Sequence, residues 1–293
     1  MQPSTKPTPA PRRAFPPGVP CWIDLQPPDP LAAADFYANL FSWELEERLP
    51  PESGRHYLIA RRDGLVAAAI GTPDVPGDGP PRWATYVAVD DADAAAARVR
   101  AAGGTTGAPV DVGPPGRSVP CTDPTGATFH LWEGRARKGV EVANAPGSWN
   151  WSDLVTPDPD AAVAFYGAVF GWVARSVDVG GQPSTMWCLP GYGDVLAEDD
   201  PDLRTRHAEQ GVPEGFSDAV AWLLPRRAVD PTVPDGAARW LVTFSVDDPD
   251  DVAARAERRG GTVLVAPFDA GPVRMAVIQD PQGATCTVSR YQP

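Results

Sequence analysis

Histidine, lysine and long apolar runs are all scarce in this chain. Its 293 residues include only His56, His130 and His207 as histidines and only Lys6 and Lys138 as lysines, the latter a bias that suits a GC-rich genome. No uninterrupted apolar run approaches the roughly 20 residues of a membrane-crossing helix, so no helical span is expected. The first twenty residues, "MQPSTKPTPAPRRAFPPGVP", hold no apolar stretch able to serve as a signal peptide. They read as a disordered Pro-rich tail over residues 1–20, and the chain is expected in the cytoplasm. The four cysteines, Cys21, Cys121, Cys188 and Cys286, have no metal-binding spacing and do not recur in register, which predicts buried thiols rather than disulfides. A net charge of −13 argues against nucleic acid as a partner, because holding phosphates takes a basic face. Small molecules remain, cationic ones among them.

What the chain does have is repetition. "CWIDLQPPDPLAAADFY" from Cys21 returns as "NWSDLVTPDPDAAVAFY" from Asn150. "WATYVAVDDADAAAARVRAAGGT" from Trp83 returns as "WLVTFSVDDPDDVAARAERRGGT" from Trp240, and "DPTGATFHL" from Asp123 as "DPQGATCTV" from Asp280. The chain is therefore read as two homologous domains, residues 21–133 and 148–292, joined by a linker over 134–147. Each is doubled again: an alternating strand ending in Asp, an Ala-rich helix, then further short strands. Asp29 and Asp158 are placed as N-caps with Pro30 and Pro159 at the first helical position, and Gly103 and Gly260 as helix stops. The second half carries an insertion at about 195–217, read as a short charged helix and a return, either a lid or a surface elaboration.

Four strand–helix–strand–strand–strand units, with "FYANLFSW" and "FYGAVFGW" after the first helix of each half and DPxGA before the last strand, resemble the vicinal oxygen chelate superfamily of glyoxalases, bleomycin-resistance proteins and extradiol dioxygenases. More narrowly, the chain is similar to duplicated actinobacterial members loosely called hydroxylases or glyoxalase-like proteins. The resemblance implies an α+β fold, in which four βαβββ units form curved sheets with helices on the convex faces and ligand cavities on the concave ones. It also implies where metal ligands would stand. Counting back seven residues from Asp29 and Asp158 lands on Trp22 and Trp151, and the position on the strand before "VDD" is Ala84 or Leu241. The glutamate of the final strand is replaced by His130 and Thr287. Four of these six side chains cannot ligate, and a triad of two histidines and a carboxylate would need histidines the chain hardly has. No metal and no cofactor is expected.

The two-residue period of a strand puts Trp22, Asp24 and Gln26 on the concave face with Trp151, Asp153 and Val155 as counterparts, while Ile23 and Leu25 face the helices. Tryptophan there can line a pocket for planar ligands or simply plug the face. An inward carboxylate must be hydrogen-bonded, paired or solvated, and in apolar surroundings its raised pKa makes it a candidate acid or base. Asp24, Asp153 and His130 are accordingly the candidate catalytic residues. Trp22, Trp151, Tyr86, Trp132, Thr243 and Thr287 are the candidate substrate contacts. The expected partner is a small hydrophobic or aromatic molecule, not nucleic acid or membrane, bound by a monomer or homodimer. Two functions compete: a metal-independent natural-product tailoring enzyme of the isomerase, cyclase or lyase type, and a non-catalytic drug-binding resistance protein. A metal-dependent glyoxalase or dioxygenase survives only if ligands come from unexpected strands.

Overall fold

The computed structural model describes residues 15–73, 79–179, 182–224, 231–234 and 236–292. The first half runs β1 (Pro20–Leu25), α1 (Pro30–Phe41), β2 (Glu44–Glu47), β3 (Tyr57–Arg62) and β4 (Leu65–Gly71). It continues with β5 (Trp83–Ala88), α2 (Ala92–Ala101), β6 (Thr105–Thr106), β7 (Val110–Asp111), β8 (Gly116–Thr122) and β9 (Thr128–Gly134). In the second half β10 (Ser148–Val155) leads into α3 (Pro159–Phe170), β11 (Val173–Val179), β12 (Gln182–Cys188), α4 (Tyr192–Asp199), α5 (Leu203–Glu209) and β13 (Ala219–Leu224). The last unit is β14 (Arg239–Ser245), α6 (Pro249–Arg258), β15 (Thr262–Ala270), β16 (Val273–Gln279) and β17 (Thr285–Tyr291). Each half folds into its own curved, open sheet, ordered β2-β3-β4-β1-β5-β9-β8-β6 and β11-β12-β13-β10-β14-β17-β16-β15. Within a unit the first and last strands are parallel, and the two units of a half join through an antiparallel pair, β1 with β5 and β10 with β14.

Local chemistry starts the helices where the repeat places them. Asp29 Oδ1 accepts the Ala32 amide at 3.0 Å and Asp158 Oδ1 the Ala161 amide at 3.0 Å, each satisfying an N–H that the first turn leaves open. Asp91 and Asp248 cap α2 and α6 in the same way. Gly103 and Gly260 follow α2 and α6 with φ of +90° and +82°, a conformation that side chains with a Cβ resist.

The helices lie between the two sheets, each on the sheet of its own half and against a helix of the other. Helix α1 packs beside α6, and α2 beside α3. One core joins α1, β1 and β4 to Val242, Phe244, Ala276 and Val288 of the second half; another joins α3 to Val87, Val119, Phe129 and Leu131 of the first. The contact between the halves is reciprocal down to single residues. The Trp43 indole N–H donates to the Gly147 carbonyl and the Trp172 indole N–H to the Gly18 carbonyl, both at 2.7 Å. A Cβ on Gly261 would meet the Phe36 ring at 2.9 Å, and one on Gly104 the Phe165 ring at 2.8 Å. The two fingerprint motifs meet across the halves: Tyr166 of "FYGAVF" donates to Asp123 of "DPTGA" at 2.9 Å and accepts the Trp240 indole at 2.8 Å. The equivalent pair, Tyr37 and Asp280, is in electrostatic contact without hydrogen-bond geometry.

The structure adds detail to three segments of the sequence reading. Of the expected 1–20 tail, residues 1–14 lie outside the described residues, but Gly18 to Pro20 are buried and the Gly18 amide donates to the Ala88 carbonyl at 2.8 Å. The 134–147 linker is no loose tether. Val140 and Val142 are buried, and the Val140 and Glu141 amides donate to the Cys21 and Val66 carbonyls at 2.9 and 2.7 Å, extending the hydrogen-bonding of β1 and β4. The insertion read at about 195–217 holds most of α4, which starts at Tyr192, and all of α5, which follows Asp202, whose side chain makes no cap bond.

Candidate functional site

Strand register settles which side chains share a face. Thr85 on β5 and Ser152 on β10 are fully buried and hydrogen-bonded to each other at 2.7 Å, so the helix-bearing faces of the two sheets meet there. Ile23 is opposite Thr85 and belongs to that interior, as does Leu25, opposite Trp83, whose ring packs edge-on against Tyr37 of α1 at 5.1 Å. Trp22 and Asp24 therefore point the other way, opposite Tyr86 and Ala84, and Trp151 and Asp153 do the same opposite Thr243 and Leu241. The two helix-free faces look out from opposite sides of the molecule.

On the first of these faces Asp24 is only 2% exposed. Its Oδ2 accepts the Tyr86 hydroxyl at 3.0 Å and the Tyr57 hydroxyl at 3.4 Å. His130, the cross-strand partner of Tyr86, stacks on that ring with centroids 4.4 Å apart, and Trp132 meets it edge-on at 6.2 Å. Trp22 lies beneath the Arg137 guanidinium, 5.2 Å from it, and the Trp132 indole N–H holds the Arg137 carbonyl at 2.8 Å. Burial, reinforced by the Asp24 charge, pushes the Tyr57 hydroxyl well above its usual range. Trp22, Asp24, Tyr86 and Trp132 are all buried on this face, and Arg137 of the strap that follows β9 lies over Trp22.

On the second face Asp153 is 5% exposed, and its Oδ2 accepts the Thr243 hydroxyl at 3.0 Å. Burial pushes its carboxyl up to about 7 against the opposing effect of that hydrogen bond, and no charged neighbour contributes. Thr287 is buried opposite Thr243. Trp151 is half-buried in an aromatic corner with Trp222 at 6.2 Å and Phe216 at 5.8 Å, over Met186 and Cys188. Phe216 comes from the insertion, and the His207 ring of α5 packs on it at 5.2 Å while its Nδ1 bonds the Ser217 hydroxyl at 2.9 Å. The insertion thus leans on this face, and its tryptophan is more open than Trp22, which is 3% exposed.

The structure brings together Asp24, Tyr86, His130, Trp132 and Trp22, and separately Asp153, Thr243, Thr287 and Trp151. It does not bring His130 to Asp153, which corrects the expectation that either aspartate could work with that histidine: the two belong to opposite faces. Several residues of the sites escaped the sequence reading. Tyr57 had one available signal, its cross-strand partner Gly71, where a Cβ would stand 2.5 Å from the tyrosine ring. Arg137, Phe216, Trp222 and Met186 had none, since they reach the faces from the linker, the insertion and neighbouring strands.

This arrangement, two βαβββ sheets each with a helix-free face, is that of the Glyoxalase/Bleomycin resistance protein/Dioxygenase superfamily, whose profile matches residues 21–131 and 148–287. The chain belongs to that superfamily. It is 36% identical over 281 residues to the "Putative glyoxylase CFP32" of Mycobacterium tuberculosis, covering 94% of this chain and 96% of that protein. It is 34% identical over 288 residues to the "Anthracycline biosynthesis protein DnrV" of Streptomyces peucetius, covering 94% of each. Among solved structures, the Mn(II)-bound glyoxalase from Novosphingobium aromaticivorans superposes with a TM-score of 0.56 at 17% identity, over 93% of this chain and 82% of that one. An extradiol ring-cleaving dioxygenase from B. fuscum gives 0.58 at 12% identity, over 97% and 74%.

A divalent metal does not fit the donors found here. The positions that the resemblance assigns to ligands hold two indoles, two aliphatic side chains, one buried threonine and His130. Among the described residues no three His, Cys, Asp or Glu side chains converge on a point.

Proposed function

We propose that the chain is a metal-independent tailoring protein of natural-product metabolism. It holds a hydrophobic, aromatic, polyketide-like molecule on the helix-free face of its second half and moves a proton on it with Asp153. The observation that carries this reading is Asp153 itself: a buried carboxyl that, among the described residues, has one hydroxyl partner and no charged neighbour, at the foot of an aromatic corner. A carboxyl with a pKa near neutrality is present in both forms at neutral pH, as a group that must take up and return a proton requires. With no charged group among the described residues acting on it, one carboxyl suits a reaction in which the proton it takes is the proton it gives back, as in an isomerisation or an aldol-type cyclisation. Trp151, Trp222 and Phe216 supply flat apolar surface for the ligand, and Thr243 orients the carboxyl. The relatedness to anthracycline biosynthesis proteins supports a polycyclic ligand.

The test joins composition, binding and turnover. Elemental analysis of the purified protein should find no stoichiometric zinc, iron, nickel or manganese. Asp153→Asn should bind a neutral anthracyclinone-type polyketide within about threefold of wild type, followed by tryptophan fluorescence, while product detected by mass spectrometry falls by about 10²–10⁴-fold, the usual contribution of a general base. Binding with no product from wild type on any candidate would instead favour the drug-binding reading. Undiminished turnover by Asp153→Asn would remove Asp153 from the chemistry.

A further inference from the structure

We propose that the first half carries a separate binding site for an organic carboxylate, built on Arg137. The strap that leaves β9 is pinned on both sides of this residue: the Trp132 indole holds the Arg137 carbonyl at 2.8 Å, and the Val140 amide is bonded to Cys21 at 2.9 Å. Between the pins, Arg135, Ala136 and Lys138 are exposed while Arg137 folds in and lays its guanidinium over the Trp22 ring at 5.2 Å. Stacking fixes the plane of the guanidinium and leaves its N–H edges free. Those edges meet no carboxylate among the described residues. The nearby acids are already engaged: Glu46 pairs with Arg48 and Arg61, and Glu141 accepts the Val66 amide at 2.9 Å and approaches Arg61 at 3.6 Å. Asp24 is turned beneath the surface toward Tyr57 and Tyr86. In a chain of net charge −13, this half-buried arginine has no ion pair among the described residues; burial disfavours its charge, and the more distant Tyr57 and Glu141 on one side and Arg48 and Arg61 on the other act in opposite directions. Desolvating a cation without a partner is unfavourable, and a planar carboxylate accepting two parallel N–H bonds would reverse that cost. The ligand class is a small aryl or conjugated carboxylate, its acid group on Arg137 and its ring at the rim of the face.

This site is distinct from the Asp153 face, and its test separates the two. Calorimetric titration at low ionic strength should show 2-naphthoate binding at least tenfold more tightly than the uncharged 2-naphthamide, a preference that shrinks as salt is raised. Arg137→Gln should abolish the preference with an unchanged thermal transition, and Arg137→Lys, which keeps the charge but loses the planar fork, should cut it at least threefold. Trp151→Ala, on the other half, should leave it intact. Equal binding of acid and amide by wild type, a preference that survives Arg137→Gln, or one lost in Trp151→Ala would each overturn the proposal, as would tighter binding of 2-naphthylmethylammonium than of the acid.

Discussion

Asp24 and Asp153 occupy the same place in the repeat, yet their neighbours set them apart. Asp24 has two tyrosine hydroxyls on one oxygen, whereas Asp153 has a single threonine. This difference reaches stability. The Asp153 carboxyl titrates near 7 in the folded protein and near its ordinary value of 3.8 when unfolded. Below about pH 4 both states hold the proton and nothing is lost. As pH rises from about 4 to about 7 the unfolded chain releases a proton that the native state keeps, so stability falls across that window by up to roughly 4 kcal/mol and then levels off. Asp153→Asn carries no such proton. Its urea midpoint should match wild type near pH 4 and exceed it increasingly up to pH 7, the comparison between variants cancelling every other titrating group. A constant difference across that range would mean that Asp153 is solvated rather than buried. The tryptophan–aspartate spacing was legible in the sequence because a strand alternates; the number of hydroxyls each aspartate receives was not, since Tyr57 arrives from another strand.

At the scale of elements, the insertion distinguishes the halves. Its α4 and α5 form a surface bracket that ends in Phe216, and that ring is what reaches Trp151 and Trp222. Phe216→Ala should leave the fold standing, because the residue sits at the edge of a small satellite cluster and not in either principal core. Acrylamide should then quench tryptophan fluorescence more strongly, and affinity for an aromatic ligand should drop about tenfold, near the lower end of what a well-placed aromatic contact supplies. If quenching and affinity both stay at wild-type values, the insertion is a surface elaboration and not a lid. The sequence marked this segment as an insertion through its mismatch with the first half and could not say where it leaned, because that depends on a single aromatic contact.

For the whole molecule, the interior that the two halves share predicts one cooperative unit. Both principal cores draw side chains from both repeats. Residues 15–134 or 145–292 produced alone would leave α1 or α3 without the surface it covers, and neither should give a sharp thermal transition or dispersed amide resonances. Within the intact chain, Tyr166→Phe leaves the Asp123 carboxylate and the Trp240 indole without their shared hydroxyl and should cost about 2 kcal/mol. Near- and far-ultraviolet circular dichroism should still report one coincident urea transition. Two separate transitions would show that the halves are independent domains after all.

The sequence by itself determined the duplication, the four units, the capped helix starts and the faces of β1 and β10, because these follow from local periodicity and from side chains that satisfy their own neighbouring backbone. Tertiary structure alone decided that FYxxxF of one half meets DPxGA of the other and that the linker lays Arg137 over Trp22 on one helix-free face while the insertion leans on the other. It also decided that His130 and Asp153 never share a site. Local sequence specifies a strand and its two sides, but two near-identical repeats can bury their helix faces within or across halves, and only the packed whole selects which.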